Sequence, residues 1–264
     1  MRSLYHKYCS ILLFLLFQWA NAQFELKDSI LLPFSSISHL QKNGKNEVVF
    51  IANNNTLIKI NEDHKITNKP LKKIVSHLDT NLSLRTSIVY NYQELEILDD
   101  KLNPIQDHIN LNQYNIYPSA ITVTDSQFLW YFDPIEQRLY QWNYQLKSII
   151  NKSNILHFKD DDTVIEKIHI VKNRIFLKGK NWIYEFDYFG NIKSQFNLGE
   201  HTNYCFSKEN LHLLTEKNIK SINLLNSSIS STDNFFNVKD FIMDEDQLFV
   251  IKDKVMYIYT RIKN

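Results

Sequence analysis

Six short segments with apolar residues at their first and fourth positions, five of them followed by Asn or Asp, recur along the chain at nearly even spacing. They begin at Leu57, Leu95, Leu139, Ile183, Ile219 and Met256, so successive starts lie 38, 44, 44, 36 and 37 residues apart. A period near 40 confines the chain to repeat architectures, in which each unit buries its apolar face against the next. Each segment is preceded by another β-rich run, at 47–52, 87–90, 128–133, 174–178, 211–215 and 247–252. Turn formers such as Asn53-Asn54-Asn55 or Asp133-Pro134 separate the two runs, which predicts a hairpin in every unit. Further strand candidates flank the hairpins, for instance 119–124 and 146–152 around the third. Four strands per unit of this length predict a β-propeller blade. Helical periodicity is absent beyond the N-terminal segment, which disfavours two-helix repeats.

A propeller must close its ring. The sixth unit runs out after three strands, and 24–32 is a β-rich run left over ahead of the first unit. Pairing it as the fourth strand of the last blade accounts for the chain and leaves no long exposed edge. The expected fold is therefore all-β: one propeller over 23–264, with six blades of four antiparallel strands, the last completed by the N-terminal strand.

Residues 1–22 read differently. Arg2 and Lys7 precede the apolar run from Ile11 to Phe17, and Ala20-Asn21-Ala22 then offers the small residues a signal peptidase needs, the pattern of a cleavable secretory signal peptide. The run falls short of the about 20 apolar residues a membrane span requires, and no second one follows. Cys9 precedes the apolar run, where a lipoprotein cysteine would have to follow it, so no lipid anchor is expected. Cleavage leaves 28 Lys and Arg against 29 Asp and Glu, and a single cysteine, Cys205, which excludes an intramolecular disulfide. The expected location is the periplasm or the exterior, and the expected state a monomer.

The hairpins, above all Leu129-Trp130-Tyr131-Phe132-Asp133-Pro134 and Arg138-Leu139-Tyr140-Gln141-Trp142-Asn143, resemble those of six-bladed propellers of the NHL-like and related secreted families, including exported proteins of Bacteroidetes. The resemblance implies an architecture rather than an activity.

Little in the chain announces chemistry. Only 4 glycines occur, no Gly-x-Gly among them, which excludes a dinucleotide fingerprint or a phosphate-cradling loop. Asn and Asp are then expected to supply most of the turn conformations that glycine usually provides. A formal net charge of +1 argues against a nucleic-acid partner. The nucleophile elbow and paired-Cys zinc spacings are missing; the acidic run at 160–162 reads as a solvated loop. No cofactor is expected, and whether a metal binds stays open.

One pattern stands out. Ser38-His39-Leu40 and Ser76-His77-Leu78 lie 38 residues apart, the spacing of the first two hairpins, so both imidazoles take one equivalent place on the innermost strand. Aligning the following apolar residue around the ring adds Ala120, His169, Cys205 and Asp240. If these face the channel, His39, His77, His169, Cys205 and Asp240 could bind a polar ligand or a transition metal; otherwise each packs between blades, with its polar atoms satisfied by neighbouring backbone. The aromatic set Trp130, Tyr131, Phe132, Tyr140, Trp142 and Tyr144 is expected to pack between blades; a sugar-stacking platform would need some of these rings on loops. The leading expectation is a non-catalytic module that presents its loop faces to a protein or cell-envelope partner. The alternatives are a hydrolase or lyase at the channel mouth and a glycan-binding module. Clustering of His39, His77 and Asp240 around an open channel favours the enzyme, and a plugged channel with flat apolar loops the interaction module.

Overall fold

The computed structural model describes residues 24–80, 84–124, 127–158, 164–187, 189–232 and 237–262. Residues 1–22, which the sequence reads as a signal peptide, and the acidic run at 160–162 lie outside them. Strand β1 is Phe24–Leu31; blade one holds β2 (Ile37–Lys42), β3 (Val48–Ala52), β4 (Thr56–Ile60) and β5 (Ile66–Pro70). Blade two holds β6 (Val75–Asp79), β7 (Thr86–Tyr90), β8 (Glu94–Leu98) and the two-residue β9 (Ile109–Asn110), and blade three β10 (Ala120–Val123), β11 (Phe128–Asp133), β12 (Arg138–Asn143) and β13 (Ser148–Lys152). Blade four holds β14 (Lys167–Val171), β15 (Arg174–Lys178), β16 (Trp182–Phe186) and β17 (Ile192–Asn197). Blade five holds β18 (Asn203–Ser207), β19 (Asn210–Leu214), β20 (Ile219–Asn223) and β21 (Ile229–Thr232). Blade six holds β22 (Asp240–Met243), β23 (Gln247–Lys252) and β24 (Val255–Arg261), with β1 as its outer strand in the order β22-β23-β24-β1. The ring is thus six four-stranded antiparallel sheets closed by the N-terminal strand, as the repeat count predicts.

The two middle strands of each blade are covered on both faces, which is why they read as near-continuous apolar runs. Their side chains feed six separate apolar clusters, one at each contact between neighbouring blades. In blade three the alternation sends Tyr131, Tyr140 and Trp142 toward blade two and Trp130 and Phe132 toward blade four. Trp130, Tyr131, Phe132, Tyr140, Trp142 and Tyr144 are all buried, so none offers a face for a sugar to stack on. The only helix among the described residues is a 3-10 turn, Leu111–Tyr114, which lies beside the short β9 and buries Leu111 in the contact between blades two and three.

Turn chemistry departs from the expectation. Among the described residues, 18 non-glycine positions have positive φ. Seven of these are Asn and one is Asp, short of a majority, and four are Lys. Lys172-Asn173 and Asp253-Lys254 each form a two-residue hairpin with both φ positive, the geometry that matches strand twist but is normally given to Asn-Gly. At Gly190 a side chain does not fit. Gly190 has a φ of 79°, and a Cβ there would lie 2.3 Å from the Ser153 Cβ of blade three. Gly190→Ala is expected to cost about 3 kcal/mol from left-handed strain plus overpacking, read as a lower chemical-denaturation midpoint at unchanged slope; an unchanged midpoint would contradict this.

Candidate functional site

The innermost strands β2, β6, β10, β14, β18 and β22 border the channel. His39, His77, His169, Cys205 and Asp240 all line one cavity of about 600 Å³ at the mouth where these strands begin. They do not form a single level. Asp240 and Ala120 stand on the first rung of their blades, opposite Ile251 and Phe132, whereas His169 and Cys205 stand on the third, opposite Phe176 and His212. His39 and His77 sit at irregularities of their own: His39 lies within the bulge between Ser38 and Gln41, and His77 directly follows the shift after Val75. The bulge gives His39 a φ of 55°, a conformation costly for a residue with a Cβ, and re-aims its ring.

Each imidazole bonds to the backbone of the next blade. His77 Nε2 donates to the Ser119 carbonyl at 2.9 Å, His169 Nε2 to the Lys208 carbonyl at 2.7 Å, and His39 to the carbonyl of Val75. A carbonyl can only accept, so the bonded nitrogens of His77 and His169 carry the proton and their Nδ1 atoms carry lone pairs. Burial, followed by the charge of Lys167, brings His77 down to about 4 and lowers His39 as well. His169 is also brought to about 4, mainly by burial. All three are therefore neutral near pH 7. Burial pushes the Asp240 carboxyl up to about 6, against the Phe241 amide and an Asn203 Nδ2 donor at 2.7 Å. Burial likewise raises the Cys205 thiol far above its ordinary range, and its side chain packs with Leu214, Phe241 and Val250 between blades five and six, which makes it a poor nucleophile. Among the described residues no three His, Cys, Asp or Glu side chains are grouped to hold a metal ion.

Sequence reasoning missed Lys167. It opens β14 on the rung that Ala120, Asn203 and Asp240 occupy in other blades, and its Nζ reaches Leu78 of blade two, donating to that carbonyl at 3.2 Å. A charged residue opening an innermost strand is the signal that could have found it. The adjacent Glu166 is engaged elsewhere, by the buried Lys178 at 2.7 Å, whose ammonium also sits 4.2 Å from the Tyr204 ring centroid.

Around this mouth the connections expose large apolar side chains: Ile74, Tyr117 and Val164 ahead of β6, β10 and β14, and Tyr92 and Ile135 in the hairpin turns of blades two and three. Ile135 is 79% and Ile74 69% accessible. Hydrogen bonds from Asn91 to Ile74 and from Ser119 Oγ to Ile165 hold neighbouring parts of this rim together.

No protein-family model and no curated protein matches the chain. Its likenesses are to solved propellers. A catalytically inactive histidine-to-alanine variant of virginiamycin B lyase from Staphylococcus aureus, crystallised with quinupristin, is 13% identical with a TM-score of 0.62 over 90% of this chain and 100% of that one. BamB from Moraxella catarrhalis is 8% identical, with a TM-score of 0.52 over 90% and 99% of the two chains. BBS1N in complex with ARL6DN is 10% identical, with a TM-score of 0.57 over 92% and 98%. At such identities the likeness bears on the fold alone.

Proposed function

We propose that the protein is an exported, non-catalytic propeller that presents the mouth face of its ring to a protein partner of the cell envelope. The observation that carries this reading is the apolar rim of Ile74, Tyr92, Tyr117, Ile135 and Val164, since a soluble face seldom collects large exposed apolar side chains without a partner to cover them. The bound ARL6DN of the BBS1N structure is in keeping with such a use of the fold. Export rests on the signal pattern of residues 1–22, and kinship with NHL-like exported propellers on the hairpins.

A lyase or hydrolase at the channel mouth is the second reading, favoured by the gathering of three neutral imidazoles in one cavity and by the histidine on which the lyase variant's activity depends. Its weakness is that the Nε2 atoms of His77 and His169 are spent on backbone carbonyls, which leaves each ring a single nitrogen, Nδ1, for chemistry.

Affinity capture from envelope fractions with the mature chain tests the lead. Ile135→Glu combined with Val164→Asp is expected to abolish recovery of a stoichiometric partner while leaving the melting temperature within about 2 °C, because both side chains are exposed. Absence of any partner, or recovery indifferent to the double substitution, would sink the scaffold reading.

A further inference from the structure

We propose that the channel mouth is also a binding site for a small organic anion, a molecule that carries one carboxylate or phosphate group on an apolar body, with Lys167 as its charge partner. The site shares Tyr92 and Val164 with the rim, but its charge partner lies on the innermost strand of blade four, inside the ring.

The ammonium of Lys167, a cation of the cavity wall that no carboxylate of the described residues pairs, points to an anion. An ammonium has three hydrogens to donate, and the Lys167 ammonium meets one backbone carbonyl, that of Leu78, with no carboxylate within 4 Å among the described residues. The neighbouring acids are committed: Glu166 to Lys178, and Asp244 to Lys42 and to the amides of Asp246 and Gln247. Asp240, across the mouth, is held by Asn203 and by its own strand, not by Lys167. The positive charge is felt in the cavity, since it disfavours protonation of His39, His77 and His169. A second cation would meet the same repulsion. An anion seated on Lys167 would relieve it, and the free Nδ1 atoms of His77 and His169 could then take up protons toward the ligand.

The shape adds the second half of the specificity. A cavity of about 600 Å³ lies within the range that holds a drug-sized molecule. Its walls combine the polar floor with Tyr92, Pro118, Val164 and Ile165 on the side of blades two to four. The Tyr92 ring is fixed edge-on to His77 at 5.3 Å, a rigid apolar wall beside the charge. Inorganic anions would use only the floor; a ligand with an apolar body uses both.

Titration of the mature protein with benzoate and with phenyl phosphate, against benzylamine and benzyl alcohol as cationic and neutral counterparts of the same size, tests the site by calorimetry. The expected result is saturable binding of at least one anion, with proton uptake near pH 6 and no comparable binding of the amine or the alcohol. A preference for benzoate assigns a carboxylate ligand; a preference for phenyl phosphate, a phosphate. Lys167→Met should weaken binding about tenfold or more, the scale of one charge-assisted hydrogen bond, and Lys167→Arg should retain most of it, which separates loss of charge from loss of fold. The rim substitution Ile135→Glu should leave anion binding unchanged, so failure here and failure of the partner reading are distinct. Equal binding of benzylamine, undiminished binding by Lys167→Met, or no binding of either anion at millimolar concentration would overturn the proposal.

Discussion

Acidification from about pH 7 to about pH 4.5 is expected to bring the protein close to unfolding. His77, His169 and His212 are each held at about 4, well below the ordinary imidazole value. Burial is the leading cause for all three. The charged and titratable neighbours are Lys167 and His39 for His77, Lys167 and Asp79 for His169, and Arg261 and Asp244 for His212. His212 Nδ1 shares a 2.7 Å hydrogen bond with Ser221 Oγ, and its buried Nε2 has no hydrogen-bond partner. As pH falls through the ordinary imidazole range, the unfolded chain binds protons that the folded chain refuses, so stability drops. Each such group costs about 3 kcal/mol once the pH reaches 4. Asp240 opposes this: its folded carboxyl protonates near 6, above the unfolded value, and so gains stability on acidification. Three imidazoles against one carboxyl leave a net uptake of about two protons on unfolding near pH 5, and a loss comparable to the roughly 5–15 kcal/mol that holds a domain together. Thermal melts from pH 7.5 to 4 check this, and a melting temperature flat across that window would rule it out.

Truncation to residue 33 is expected to have an effect of similar size. β1 pairs with β24 along its whole length, from Phe24 opposite Arg261 to Leu31 opposite Val255, and Leu32 continues into the apolar cluster between blades six and one. Removing them forfeits a fully buried leucine, about 2–3 kcal/mol, and a run of ladder hydrogen bonds worth about 1 kcal/mol each. The loss leaves β24 as a bare edge open to pairing between molecules. A chain beginning at Phe34 should aggregate or melt without a cooperative transition, and a synthetic peptide of residues 23–33 should restore part of the transition. A truncated chain that melts like the full one would show that closure contributes little.

How far the fold was legible depended on burial. The β3–β4 and β11–β12 hairpins are doubly covered, so their apolar runs and turn residues point the same way. Outer strands such as Ile66–Pro70 and Ile192–Asn197 are mostly exposed and polar, and only the repeat period locates them. The site was legible in part. The spacing of His39 and His77 marks a shared place in two blades, but where apolar residues alternate, as Ile168 and Ile170 do, alignment on the next apolar residue cannot detect a two-residue offset, so it puts Asp240 and His169 on one level although the ladders set them two rungs apart. Lys167 escaped notice because a lysine on a strand ordinarily points to water, and only the ring geometry turns this one inward. The turns that use Lys rather than Asn show that a two-residue connection between well-packed strands can impose positive φ on a residue with little preference for it.

Because Phe24 stands opposite Arg261 on the last rung of blade six, the two positions are neighbours across one ladder although they lie 237 positions apart along the chain. A tight turn inserted between them would convert β24 and β1 into an ordinary hairpin, and the backbone could then be opened at any other exposed connection instead. The order in which the six blades are written is in that sense arbitrary: a circularly permuted gene would encode the same ring with its seam in a different blade.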